Sequence, residues 1–328
     1  MVKAIVVRQT GGPDVLHYED IPVGAPGPGE IRLRQTIIGV NFIDTFHRSG
    51  LYPVKLNEAG FFVPGMEGVG RVETLGAGVN NVKVGDRVCY GNGPMGGYAE
   101  ERLMPAAQVV KCPPGLEDEQ IAGMMLRGLT VWYLVRTLHQ LKPGQTVLMH
   151  AAAGGIGLIF CQWARAIGAA VIGTVGSEEK AKITRAAGCT HTILYKSENW
   201  VAKVRELTGD KGVPVVYDSV GKDTFLGSLD CLAPRGLLVS FGNASGQPPA
   251  IEPGQLAAKG SLFLTRPRLG DCVDNPDELA AGCAELFDLV GRGIVKIDVG
   301  NSYGLAQAAH AHSDLESRAT TGSTILVV

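Results

Sequence analysis

The segment 147–157, VLMHAAAGGIG, constrains the fold of this chain more than any other stretch. An apolar strand runs to His150, small residues turn the chain, and a helix is predicted over Gly155–Ile167. Small residues in such a turn let the backbone approach a pyrophosphate, which then meets the N–H groups at the helix start. Ala152 stands where the first glycine of the usual pattern would be. We assign to cofactor binding the residues that lead into the helix: Gly154, Gly155, Ile156 and Gly157.

Strands and helices alternate along the chain after this turn. Apolar strands are predicted over 170–175, 213–218 and 237–241, with helical segments between them. Such βαβ units build a doubly wound parallel sheet of the Rossmann type. A glycine turn alone is often only a turn, but its place at the head of these units favours a nucleotide site. Ligands bind such sheets at the carboxyl ends of the strands, which adds Ser219, Phe241, Gly242 and Asn243 as candidates; a core position is the alternative for Phe241.

The end of the second strand decides between the two nicotinamide cofactors. NAD sites usually place Asp or Glu there, to bond the ribose 2′-hydroxyl. This chain has Gly176 and Ser177, with Lys180 one helical turn later, and a hydroxyl and an ammonium suit a 2′-phosphate. Glu178 and Glu179 oppose this interpretation, although acids in a first turn also stabilise a helix start. We predict NADPH, held by Ser177 and Lys180; the alternative is that Lys180 is a solvated surface lysine.

The composition excludes several classes of function. The chain carries 30 Lys and Arg against 32 Asp and Glu, a net charge of −2, which argues against a general nucleic-acid or membrane-surface binder. Its seven cysteines form no CxxC pair, and no secretory or membrane-spanning segment is evident. Scattered reduced thiols predict a cytoplasmic protein. The first 120 or so residues hold short β-like runs between glycine and proline turns, which predicts a β-rich module.

The whole chain resembles the zinc-independent quinone oxidoreductases related to zeta-crystallin, in the medium-chain dehydrogenase/reductase superfamily. The stretches that carry the resemblance are IGVNFIDTFHRSGLYP (38–53), LRGLTVWYLV (126–135), HAAAGGIG (150–157), VYDSVG (216–221), LVSFGNASG (238–246) and LESRATTGS (315–323). The resemblance implies an α/β fold, with a GroES-like β-rich catalytic domain at 1–122 and 266–328. A Rossmann NADPH-binding domain is then expected at 123–265, with the cofactor in the cleft between the domains.

The resemblance also implies that no zinc takes part. The alcohol-dehydrogenase branch of the superfamily binds catalytic zinc through Cys, a His before Glu, and a further Cys. At the matching places this chain has Asn41 and, before Glu67, Met66. Asn is a poor zinc ligand and a thioether suits softer metals. We therefore predict no metal site.

The family pattern implies further site residues. Asn41 is expected near the nicotinamide and substrate, with Asp44, Arg48 and Tyr52 shaping the site; an Asp–Arg pair four apart is alternatively a plain ion pair. Phe46 stands where relatives carry Tyr, which puts a proton-donor role at that position in doubt. The remaining residues implied at the cofactor are Arg127, Thr130, Tyr195 and Arg318, of which Tyr195 and Arg318 would flank the 2′-phosphate.

These observations predict an NADPH-dependent reductase of small soluble quinones. One alternative keeps the fold and reduces the activated C=C bond of an enone or enoyl thioester, which needs a nearby acid to protonate the product. Another is a crystallin-like NADPH-binding protein with little turnover, of which some relatives bind RNA, although the sequence gives RNA binding no support. The resemblance also implies a homodimer or homotetramer, paired through the edge of the Rossmann sheet at 261–265, where an unpaired strand would otherwise expose its backbone groups.

Overall fold

The computed structural model describes residues 1–317 and 320–328. It divides the chain into two compact units. The first unit holds Met1–Leu129, Val273–Gly291 and Ile297–Val328, and the second holds Thr130–Cys272 and Arg292–Lys296. The main crossings therefore lie at 129/130 and 272/273, compared with 122/123 and 265/266 in the sequence prediction.

Strands and helices follow one another along the described residues. The strands are β1 (Val2–Val6), β2 (His17–Ile21), β3 (Glu30–Val40), β4 (Gly68–Leu75), β5 (Arg87–Tyr90), β6 (Glu101–Pro105), β7 (Val110–Lys111), β8 (Thr146–Met149), β9 (Ala170–Val175), β10 (His191–Leu194), β11 (Val213–Asp218), β12 (Leu232–Ser240), β13 (Phe263–Thr265), β14 (Val299–Gly304) and β15 (Ser323–Val327). The α-helices are α1 (Phe42–Ser49), α2 (Asp118–Ala122), α3 (Met125–Tyr133), α4 (Gly155–Ile167), α5 (Glu178–Ala186), α6 (Trp200–Leu207), α7 (Phe225–Asp230), α8 (Pro253–Ala258), α9 (Leu269–Val273), α10 (Pro276–Gly291) and α11 (Ala308–Glu316). Single turns of other helix types lie at Pro13–Val15, Ala106–Gln108, Leu134–Leu138 and Leu305–Gln307.

The first unit is organised around the long strand β3. The sheet runs in the order β14-β15-β3-β4-β5-β7, with β6 also paired to β3. Successive side chains of a strand point to opposite faces of the sheet. Ile31 and Leu33, at odd positions, pack into one core cluster, whereas Ile38 and Val40, at even positions, pack into another. One strand thus contributes to two core clusters. Because β3 ends at Val40, which belongs to the second cluster, α1 begins next to that cluster.

The second unit confirms the predicted Rossmann sheet. Its strands pair in parallel in the order β10-β9-β8-β11-β12-β13. The chain moves outward from β8 in one direction, then returns to β11 on the other side of β8. In sheets with such a reversal, ligands bind at the carboxyl ends of the central strands. Strands β8 to β12 all contribute to one buried apolar cluster, which includes Leu148, Ile172, Ile193, Val216 and Leu238.

Helix α4 spans the residues that the sequence predicted. It begins after Gly154 and ends at Gly168, whose left-handed backbone (φ 88°) is freely available to glycine. Residues 157–164 are all buried, so this part of the helix is covered on every face. Among the described residues, no helix is long and apolar enough to cross a membrane.

Candidate nucleotide and catalytic sites

The turn between β8 and α4 presents backbone N–H groups. Gly154 caps the helix with extended angles (φ −77°, ψ 169°), and within the described chain no side chain bonds the first turn. Ala151 holds a left-handed conformation (φ 51°) at the head of the turn. A Cβ on Gly157 would lie 2.6 Å from the Cα of Ala152, so the helix approaches the turn only because residue 157 lacks a side chain. The free N–H groups and the helix dipole suit a phosphate.

Polar and basic residues gather at the ends of β9 and β10. The hydroxyl of Ser177 caps α5 by accepting the N–H of Lys180 at 3.3 Å. A Cβ on Gly176 would lie 3.4 Å from the hydroxyl of Tyr195 and 3.7 Å from Cε of Lys196. Tyr195 and Lys196 are both exposed. Sequence reasoning missed Lys196, although its place directly after Tyr195, at the end of the neighbouring strand, could have revealed it.

Glu178 and Glu179, the two acids that argued against a phosphate site, are respectively paired with an arginine and exposed to solvent. A carboxylate oxygen of Glu178 accepts a hydrogen bond from Arg185, further along α5, at 2.5 Å. Glu179 is exposed. The predicted phosphate ligand Arg318 lies outside the described residues.

The loops after β11 and β12 pack against each other. A Cβ on Gly242 would lie 2.5 Å from the carbonyl oxygen of Ser219, so only glycine fits there. The N–H of Phe241 donates to the carbonyl of Asp218 at 2.8 Å, and the ring is half-buried. Asn243 is buried, and its Oδ1 has no hydrogen-bond partner among the described residues. A buried acceptor without a partner fits a bound group that donates a hydrogen bond.

In the first unit, helix α1 buries its charged side. Asp44 and Arg48 are 0% and 2% exposed, whereas Phe42 and Phe46 are only half-buried. Buried charges are costly unless they are paired, and such breaks in the polar pattern concentrate at functional sites. Asn41 caps this helix at the end of β3. Its position is fixed by the charged residues around it.

Asn41 is tied to two buried carboxyl groups. Its backbone N–H donates to Oδ2 of Asp44 at 2.8 Å, and its amide Nδ2 donates to Oε2 of Glu67 at 2.7 Å. The other oxygen of Glu67 accepts the N–H of Leu126 at 2.8 Å. Burial raises the pKa of Glu67, and the nearby Arg127 and Asn41 oppose that rise. The bond to Glu67 fixes which way the Asn41 amide faces.

Asp44 has an unusual environment for a carboxyl group. Its Oδ2 accepts from Asn41 and from the hydroxyl of Tyr98 at 3.1 Å, while Oδ1 is buried with no partner among the described residues. Burial raises its pKa to about 7; the hydrogen bonds from Asn41 and Tyr98 oppose the rise, and the charge of Glu67 adds to it. Near pH 7 the protonated and ionised forms of Asp44 are therefore present in comparable amounts.

Tyr98 continues a chain of buried hydrogen bonds to the far end of α11. Its hydroxyl lies 3.0 Å from Nε2 of His312, whose Nδ1 lies 3.5 Å from Nη1 of Arg48. Arg48 in turn binds Glu316 through two bonds of 3.0 and 2.6 Å. Burial lowers the pKa of His312 to about 3, so the ring is neutral. Since Arg48 only donates, Nδ1 accepts, and the proton on Nε2 is directed at Tyr98.

Arg127 lies in the interior of the first unit. Its guanidinium donates to the carbonyl oxygens of Gly123 at 3.0 Å and Val40 at 2.6 Å, and 5% of the residue is exposed. Burial lowers its pKa, and the charges of Glu67 and Asp44 raise it. Arg127 therefore acts as the counter-charge of the buried carboxyls, and its contact with a cofactor remains a prediction.

The other predicted residues lie around the outer side of α1 or in the second unit. Tyr52 meets Phe46 edge-on, with ring centroids 5.2 Å apart, and His47 at 6.1 Å. Burial lowers the pKa of His47 to about 4, so it is neutral at physiological pH. Thr130 is a buried residue at the start of the second unit.

The structure thus groups the predicted residues into two sets. Ser177, Lys180 and Tyr195 share one sheet edge with the glycine turn of the second unit. Asn41, Asp44 and Arg48 share one network in the first unit. Sequence reasoning missed the partners in that network, Glu67, Tyr98 and His312, because each is distant from α1 along the chain.

Comparison with known proteins identifies the family. Residues 27–114 match the alcohol dehydrogenase GroES-like domain and residues 155–271 match the zinc-binding dehydrogenase domain. The chain is 51% identical to a quinone oxidoreductase of Pseudomonas aeruginosa over the full length of both chains. It belongs to the quinone oxidoreductase family of the medium-chain dehydrogenase/reductase superfamily. The predicted family and fold class are confirmed.

Two further family members bear on the site. The structure of Escherichia coli quinone oxidoreductase in complex with NADPH superimposes with a TM-score of 0.96 at 44% identity, covering 99% of this chain and 100% of that one. A 2-haloacrylate reductase of Burkholderia is 47% identical, over 100% of this chain and 99% of the relative. Family members that are 51% and 47% identical to this chain therefore carry two different substrate names.

Proposed function

We propose that this protein reduces small soluble quinones with NADPH. The observation that carries the choice of cofactor is the edge formed by β9 and β10, where Ser177, Lys180, Tyr195 and Lys196 gather and Glu178 is paired with Arg185. Two ammonium groups and two hydroxyls match a 2′-phosphate. The relative from E. coli was solved with NADPH.

We further propose that the reaction proceeds without zinc. The argument is the chemistry of the donor set at the positions that bind zinc in alcohol dehydrogenases, where this chain has Asn41 and Met66. The amide of Asn41 already donates to Glu67. An amide and a thioether are poor ligands for zinc. Within the described residues no group of three His, Cys, Asp or Glu side chains is arranged to hold a metal ion.

The residues of this chain would then act by binding and orientation. The N–H groups at Gly155 and Gly157 hold the pyrophosphate, and Asn243 Oδ1 accepts from a donor on the cofactor. The Asn41 amide, held by Glu67, orients the reacting groups. NADPH, when bound, supplies the hydride. Quinones are strong electrophiles, so positioning supplies most of the catalysis.

The test is steady-state oxidation of NADPH with 1,4-benzoquinone. We expect turnover that prefers NADPH to NADH and that is unchanged after treatment with EDTA. A preference for NADH would refute the phosphate site, and loss of activity with EDTA, restored by zinc, would refute the metal-free mechanism. Tight NADPH binding without turnover on any quinone would refute the proposed reaction.

A second candidate is reduction of an electron-poor C=C bond. This reaction needs a proton donor, and the absence of a hydroxyl at Phe46 argued against one. The structure provides a different acid, Asp44, whose pKa burial raises to about 7. The 47% identical relative is a 2-haloacrylate reductase. The same protein is therefore proposed to act on acrylate-type substrates as well.

We also propose a cytosolic homodimer or homotetramer paired through β13. This strand ends the parallel sheet, and its Phe263 and Leu264 are 60% and 39% exposed. An apolar strand at a sheet edge offers unpaired backbone groups to a second copy. The seven cysteines are free thiols, as expected in a reducing compartment.

A further inference from the structure

Reduction of a quinone and reduction of a C=C bond place different demands on the protein. In both, hydride transfer leaves an anion on the substrate. A quinone carries that charge on oxygen, where water delivers a proton quickly. An alkene next to a carbonyl must receive its proton on carbon. Proton transfer to carbon is slow, so an acid positioned by the protein accelerates this step more than it accelerates protonation of oxygen. A proton held by the protein therefore distinguishes the two activities.

The buried charges of the first unit require one such proton. Asp44 and Glu67 are both fully buried, and Arg127 is the buried cation that acts on both of them. Arg48, the other cation in contact with this network, is paired with Glu316. Two buried carboxyls near one buried cation, whose printed hydrogen bonds go to backbone carbonyls, do not both ionise readily in a low-dielectric interior. The pair is therefore expected to retain one proton.

Hydrogen bonding decides which carboxyl holds it. Both oxygens of Glu67 accept hydrogen bonds, from Asn41 and from Leu126, which favours its charged form. Asp44 accepts two bonds on Oδ2 and none from the described residues on Oδ1. The proton therefore belongs on Oδ1 of Asp44.

The chain from α11 keeps Asp44 in that arrangement. The Nε2–H of His312 is directed at the oxygen of Tyr98, and the Tyr98 hydroxyl is directed at Oδ2 of Asp44. Because every donor in the chain points toward Oδ2, the acidic proton is confined to Oδ1. Asp44 follows Asn41 by three residues and accepts its N–H, which places the acid beside the residue expected at the substrate.

We propose that Asp44 donates the proton when this protein reduces an electron-poor C=C bond, and that Tyr98 and His312 are positioning residues for it. The proposal rests on the second proposed activity. The hydride of NADPH forms a C–H bond at the carbon distant from the carbonyl. The Oδ1–H bond of Asp44 breaks, and its proton, passed directly or over one water, forms the second C–H bond beside the carbonyl. The Asp44 carboxylate then regains a proton from solvent.

The experiment compares two acceptors in the same protein. The kcat for 2-chloroacrylate is divided by the kcat for 1,4-benzoquinone, with NADPH saturating, in the wild type and in Tyr98→Phe and His312→Gln. We expect this ratio to fall at least tenfold in both variants, because only the alkene needs the placed proton. General damage to the fold would lower both rates together.

Matched controls come from the same unit. His310→Gln changes an exposed histidine on the same helix α11, and Tyr303→Phe removes a tyrosine hydroxyl that donates to a different carboxylate, Asp314, at 2.6 Å. Both controls should keep the wild-type ratio. Ratios in Tyr98→Phe and His312→Gln equal to those of the controls would overturn the proposal. If Tyr98→Phe does not fold, the test is the ratio of the two kcat values in His312→Gln compared with that in His310→Gln.

A readout without turnover completes the test. The carboxyl of Asp44, identified by its loss in Asp44→Asn, is titrated by carbon-13 NMR in the apoprotein. We expect a midpoint near neutral pH that moves in Tyr98→Phe and stays in Tyr303→Phe. A titration midpoint of Asp44 below pH 5 in the wild type would overturn the proposal. Absence of 2-chloroacrylate turnover in a protein that reduces benzoquinone would also overturn it. Turnover of 2-chloroacrylate without benzoquinone would instead refute only the quinone proposal.

Discussion

Replacing Asp44 with asparagine should make the protein relatively more stable as the pH rises. Burial raises the pKa of Asp44 from 3.8 to about 7. The folded state therefore keeps a proton that the unfolded chain has already lost above pH 4. Stability from this group is fully present below pH 3.8 and is lost as the pH rises toward 7. Asparagine has the same shape and no charge, so it removes this loss.

The magnitude follows from the two pKa values. Ionising Asp44 inside the fold costs about 4 kcal/mol, and about 3 kcal/mol of that lies between pH 5 and pH 8. The residue is fully buried, so solvent does not screen the effect. The free energy of unfolding of Asp44→Asn, relative to the wild type, should rise by about 3 kcal/mol across this range. His47 and His312 are neutral in both folded proteins above pH 5 and cancel in the difference.

The assay is urea unfolding of the apoprotein, followed by far-ultraviolet circular dichroism. Tryptophan fluorescence is unsuitable, because Trp132, Trp163 and Trp200 all lie in the second unit and Asp44 lies in the first. Asp86→Asn is the control. Lys111, 2.9 Å from Asp86, lowers the pKa of that carboxyl, so the group is ionised throughout and its difference from the wild type should stay constant. If the free energy of unfolding of Asp44→Asn and that of the wild type changed in parallel between pH 5 and pH 8, the raised pKa of Asp44 would be refuted.

Three further predictions address the nucleotide turn, the phosphate edge and the sheet edge. Gly157→Ala should destabilise the protein by about 1–3 kcal/mol and weaken NADPH binding, since its Cβ would meet the turn at 2.6 Å; Gly254→Ala, with open space around it, is the control in thermal unfolding and fluorescence titration. Lys196→Ala should raise the Kd for NADPH about tenfold, as expected for one lost charge-assisted contact, and leave that for NADH unchanged; equal effects on both would exclude a phosphate contact. Phe263→Asp should shift the mass measured by light scattering to that of the monomer, and an unchanged mass would exclude pairing through β13.

Much of the second unit could be predicted from local sequence. Helix α4 spans Gly155–Ile167 as predicted, because glycines at both ends and a buried apolar run between them act over neighbouring residues. The strands of the parallel sheet followed from their short apolar runs. Ser177 and Lys180 were predicted as cofactor residues because a nucleotide site uses residues next to a strand end. Lys196 required the knowledge that β10 lies beside β9.

The buried network of the first unit could not be predicted in this way. From the sequence, Asp44 and Arg48 were expected to shape the site, with a plain ion pair between residues four apart as the alternative. The structure instead buries Asp44 beside Tyr98 and joins Arg48 to Glu316, 268 residues away.

The physical reason for this division is the range of the forces. Turn geometry, helix capping and strand periodicity depend on neighbours in the sequence, so the sequence by itself determined the Rossmann unit, the family and the candidate phosphate residues. The proton affinity of a buried carboxyl depends on which charges and donors surround it in space. Only the tertiary structure, which brings β3, α1 and α11 together and buries Asp44, decided that the pKa of this carboxyl is raised.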